Sequence, residues 1–74
     1  MDPKIKNVGE KNTHVMFFAS FKVEGGAASA HSEPKFIPKE KVLLELESWL
    51  IWATERVKET RGSVSITNIK IIKP

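Results

Sequence analysis

His14 and His31 are the side chains of this 74-residue sequence whose ordinary titration falls nearest to neutral pH, so proton transfer or metal binding would have to start with them. They are far apart in sequence and lack the short spacing of a paired metal site. No nucleophile and acid accompany either of them in a motif. A hairpin would let His14 and His31 face one another, but two exposed strand histidines is the expected arrangement. There is no cysteine, which removes disulfides and thiolate metal sites together. Gly25-Gly26 lacks the spacing of a phosphate-binding loop and does not open a helix. Lys35, Lys39 and Lys41 gather where a helix is predicted to begin, and backbone amides there would suit an anion. The same lysines would also keep a sheet edge soluble. Glu45, Glu47, Glu55 and Glu59 fall mostly on the solvated side of that helix. No catalytic residue, metal ligand or cofactor is assigned, and the chain is predicted not to be an enzyme.

The elements that would carry these residues are well marked. Thr13 to Val23 alternates: Val15, Phe17, Ala19, Phe21 and Val23 form one wholly apolar face. The other face holds His14, Met16, Phe18, Ser20 and Lys22, greasy in its first half, as in a central strand. Glu24-Gly25-Gly26 predicts a hairpin turn, and Ala27 to Ser32 a weak return strand that is at a sheet edge or already over by Pro34. A helix is predicted from about Pro38, in the first helical position, to Arg61, with Gly62 terminating it. Its core face carries Val42, Leu46, Trp49, Leu50, Ala53 and Val57, with Leu43 at the edge. Ser63 to Ile72 reads as a last strand whose apolar phase changes at Thr67-Asn68, the sign of a bulge or a strand end. Residues 1–12 are polar and read as a flexible lead-in.

The order strand, strand, helix, strand gives an α+β, two-layer ββαβ domain over residues 13–74. A hairpin followed by a crossover helix places the strands in the order 2-1-3, with the most apolar strand central and one long helix covering one face. That leaves the opposite face open. Met16 and Phe18 would lie on it, and burying each is worth about 1.5–3 kcal/mol. Leu44 and Ile51 form a stripe on the outer side of the helix, with Trp52 a quarter-turn round. Met16 and Phe18 are assigned to self-association, and Leu44, Ile51 and Trp52 to a foreign partner.

Composition limits the partners. The net charge is +3, and ten of the twelve basic residues are scattered lysines. Only Arg56 and Arg61 offer the planar fork that reads phosphates well. No apolar run approaches the length that spans a bilayer, and the opening residues have no signal-peptide core, so a cytoplasmic location is expected.

The first strand HVMFFASFKV, the Gly-Gly turn, a single amphipathic helix and the last strand SVSITNIKII together resemble small phage- and prophage-encoded ββαβ proteins. The resemblance covers Thr13 to the end. It implies a cytoplasmic accessory protein that acts by binding another macromolecule, and it carries over no functional residues. The function expected is therefore a non-enzymatic protein-binding module, self-associating as a homodimer. The alternative is a weak nucleic-acid-binding module using the scattered lysines with Arg56 and Arg61.

Overall fold

The computed structural model describes residues 12–74, so the lead-in lies outside the described residues except for Asn12. Asn12 already belongs to the first strand, β1, which runs Asn12–Val23. β2 is Gly26–His31, β3 is Lys35–Pro38, the helix α1 is Val42–Arg61 and β4 is Val64–Ile72. The architecture is the mixed α+β layout expected: an antiparallel sheet and one long helix.

β1 is the hub of the sheet and pairs antiparallel with all three other strands. Its residues 18–23 are paired with β2 and with β4 at once, so those two flank it on opposite edges. Glu24 and Gly25 make the two-residue turn into β2, and Gly25 has φ 83°, where a Cβ would be strained. β3 continues the line of β2. The Ser32 N–H bonds the Phe17 carbonyl at 2.8 Å, and Lys35 then comes opposite Val15. The predicted order 2-1-3 therefore holds, with the second strand broken into β2 and β3.

The break has its own chemistry. Where the chain departs from regular pairing, the Phe17 N–H is bonded by the Ser32 hydroxyl at 2.8 Å instead of by a backbone carbonyl. That hydroxyl in turn donates to the Glu33 carbonyl at 3.1 Å. Ser32 is buried, so Ser32→Ala would leave a buried donor without a partner. The expected result is a loss of about 1–3 kcal/mol in chemical denaturation, with the fold retained.

The return strand, expected at an edge or over by Pro34, is an edge strand that breaks after His31 and resumes as β3. One sequence expectation is corrected here. The helix does not begin at Pro38, which closes β3 with ψ 137°; a 3-10 turn over Lys39–Lys41 follows, and α1 starts at Val42. The physical reason is Ile37. It is buried opposite Thr13 and packs with Val15 and Phe17, which holds residues 35–38 in the sheet. Proline's fixed φ suits an extended residue as well as a first helical one. At the other end Gly62 stops the helix with φ 80°, its N–H bonded to the Lys58 carbonyl at 3.0 Å.

The odd residues of β1, Val15 to Val23, are all buried beneath α1. Packing falls into two clusters. Ala19, Phe21 and Val23 meet Ala53 of the helix, while Val15, Phe17 and Ile37 meet Val42 and Leu46. Trp49 packs on both, with its ring 5.9 Å from that of Phe17. The phase change in β4 is a bulge. Asn68 is opposite Ser20 and Ile66 is opposite Phe21, so Thr67 is the extra residue. The bulge brings Val64, Ile66, Ile69 and Ile71 onto one face, the helix side.

Candidate protein-interaction surfaces

A single helix cannot cover this sheet. The open face is built from the even residues of β1 and their cross-strand partners. Phe36 comes opposite His14, Ile72 opposite Met16, and His31 and Lys70 both opposite Phe18. Met16 and Phe18 are half-buried, whereas Phe36 is 70% exposed. The His14 and Phe36 rings stack at 4.4 Å with an 11° tilt. Ser20, Ser29, Ser65 and Asn68 surround this patch, and Lys22, Lys70 and the two histidines supply its ionisable groups. None of the described strand residues on this side is acidic.

The histidines do not face one another. His14 sits beside Phe36, and His31 lies opposite Phe18, with its Nδ1 3.2 Å from the Ser32 carbonyl. Among the described residues no group of three or more histidines and carboxylates could hold a metal ion.

On the outer side of α1, Leu44 and Ile51 are each 63% exposed and Trp52 is 57% exposed. Clefts lie on both flanks of this side of the helix. Ile51 lines a shallow cleft of about 210 Å3 with Leu50, Thr54, Glu55 and Ile66, on the β4 flank. Trp52 lines another, of about 380 Å3, with His31, Ser32, Lys35 and Trp49, on the β2–β3 flank. There the Arg56 guanidinium lies over the Trp52 ring at 5.5 Å, a contact worth about 0.5–1 kcal/mol at an exposed site.

The three lysines of the candidate anion site lie on two consecutive short elements, β3 and the 3-10 turn. Lys35 opens β3 near Trp52, while Lys39 lines a cleft with Thr13, Val42, Ile71 and Lys73. Lys41 precedes the first residue of α1 and makes no side-chain cap. Lys39 and Lys41 share the 3-10 turn that precedes α1. Arg61 stands in the last turn of α1, away from all three.

A third surface was not singled out from the sequence. Ile66, Ile69 and Ile71 of β4 point to the helix side, yet each stays 38–43% exposed beside α1. The spacing of these isoleucines marks a strand, but only the position of the helix decides whether they are covered. Phe36 was also missed. It lies between Pro34 and Pro38 and reads as loop, although the alternation Lys35-Phe36-Ile37 carried the signal of a short strand.

No helix among the described residues is long and apolar enough to cross a membrane. Comparison with protein-family models, with curated proteins and with solved structures finds no match.

Proposed function

We propose that this chain is a non-enzymatic, self-associating protein-binding module of the cytoplasm. One observation carries the reading. Among the described residues nine large hydrophobic side chains, from Phe36 to Ile72, are at least a third exposed, against a buried core of seven hydrophobic residues. A domain this small cannot cover its own apolar surface, and contiguous apolar surface is what protein partners bind. Sedimentation velocity on the full chain tests it. The weight-average mass is expected to rise from that of a monomer to that of a dimer through the micromolar range. A strict monomer at the highest soluble concentration overturns the self-association.

A second reading is supported by the open face in particular. An acid-free strand surface with two lysines, two histidines and the exposed Phe36 ring has the make-up of a stacking platform for single-stranded nucleic acid. Binding of a mixed-sequence single-stranded oligonucleotide, followed by anisotropy, would then weaken steeply with salt and be lost in Phe36→Ala. An absence of binding at low salt removes this reading and leaves the first intact.

A further inference from the structure

Among the described residues the outer edge of β4 pairs with no strand, and the alternation of an antiparallel ladder fixes which of its backbone groups point outward. Phe17 directs both its N–H and its C=O to Ser32, on the β2 side. In an extended strand successive residues point these groups to opposite edges, so Met16, Phe18, Ser20 and Lys22 direct theirs to β4. Their partners Ile72, Lys70, Asn68 and Ser65 point back at β1. The bulge at Thr67 preserves this sorting. The residues left pointing outward are Val64, Ile66, Ile69 and Ile71, and among the described residues no strand pairs with them. The three isoleucines are also the ones whose side chains stay half-exposed beside α1. Unpaired backbone and uncovered aliphatic surface therefore coincide on the same residues, as an edge built to receive a further strand requires.

The structure assigns this edge to β4 of a second copy, paired antiparallel, and so places the contact behind the self-association on which this inference rests. The argument is self-complementarity. With Ile66 of one copy opposite Ile69 of the other, Val64 falls opposite Ile71, and all four outward-pointing residues meet outward-pointing residues. Every helix-side aliphatic meets another, and the two bulges lie face to face at the two-fold axis. On the open side Ser65 falls opposite Lys70, so no lysine opposes a lysine, which would be unfavourable. The axis is perpendicular to the sheet, so both helices remain on one face. Each copy then walls the cleft between Ile51 and Ile66 of the other. The opposite edge of the sheet is unsuited to the same pairing, being interrupted at Ser32 and carrying Pro34 and Pro38.

Two variants separate this contact from the other surfaces. Proline at position 69 removes only an outward N–H, so the ladder between β1 and β4 is kept while strand addition is blocked. Ile69→Pro is expected to raise the dimer dissociation constant by about a hundredfold, with Phe18→Lys far less damaging. The register is tested by oxidising a mixture of Ser65→Cys and Lys70→Cys chains. The protein has no cysteine of its own, and these positions form a non-hydrogen-bonded pair within disulfide reach. A cross-linked heterodimer from the mixture, absent from either variant alone, is the expected product. A wild-type dimer that gives no such product, or that survives Ile69→Pro and is lost in Phe18→Lys, overturns the β4 pairing and leaves self-association standing. A monomeric wild type overturns both.

Discussion

Phe17→Ala is expected to leave the chain largely unfolded at room temperature, with near-ultraviolet circular dichroism and cooperative thermal melting both lost. Phe17 is completely buried at the centre of β1, where it joins Val15, Ile37, Val42 and Leu46 and meets the Trp49 ring. Truncating a buried phenylalanine costs about 3–5 kcal/mol through lost transfer energy and the cavity left behind. At the usual 0.05–0.15 kcal/mol per residue, a chain of this length has a total stability of about 4–11 kcal/mol. Among the described residues the buried hydrophobics number seven, three of them valine or isoleucine and two alanine, so the lower part of that range is expected. Phe17→Leu retains most of the volume and should cost less than about 1.5 kcal/mol. A cooperative unfolding transition for Phe17→Ala within about 1 kcal/mol of wild type would show that the two-cluster core is not what holds the sheet to the helix.

Ala53→Asp is expected to be the most damaging single change in α1, and its damage should depend on pH. Ala53 is the one fully buried residue of the helix and rests on Ala19, with Ala28 and Ala30 packed beside it. These small side chains let the helix come close to the sheet, so a larger residue has nowhere to go. An aspartate there would be too short to reach water, and among the described residues the cluster holds no cation to pair with it. The cost is several kcal/mol for an unpaired buried charge. Burial raises the folded-state pKa of such a carboxyl above its unfolded value of about 3.9. The penalty is therefore full above the raised folded pKa and is relieved as pH falls towards the unfolded one. Ala53→Asn has the same shape without the charge and gives the reference. The stability gap between Asp and Asn variants, measured by urea denaturation, should narrow from pH 7 towards pH values of about 4. A gap that does not change with pH would mean that steric overpacking alone is at work.

Both variants act on residues whose role was legible from spacing. Alternation along Val15 to Val23 identified the buried face of β1, and the 3.6-residue repeat identified the face of α1 that meets it. The phase change at Thr67-Asn68 announced the bulge, which proves to be the device that keeps four aliphatic residues on one side of β4. Segment 33–41 was less legible. Two prolines and three lysines within it argue for loop or helix start, and only the burial of Ile37 against β1 turns residues 35–38 into a strand. The same burial leaves Lys35 in β3 and Lys39 and Lys41 in the 3-10 turn that precedes α1.

The sequence by itself determined the element types, the central place of β1, the inner face of the helix and the presence of more apolar surface than one helix can cover. These are properties of local periodicity and composition, and they hold whatever the elements pack against. The tertiary structure decided which apolar residues remain uncovered. Ile51 and Trp52 line clefts on opposite flanks of α1. Ile66, Ile69 and Ile71 carry the same signature as core residues, yet they stay half-exposed because one helix is too narrow to cover every strand of the sheet. The free edge of β4 is likewise invisible in one dimension. Whether an N–H points at a neighbour or at water depends on which strands share an edge, and that is fixed only when β2 and β3 take one side of β1 and leave β4 alone on the other.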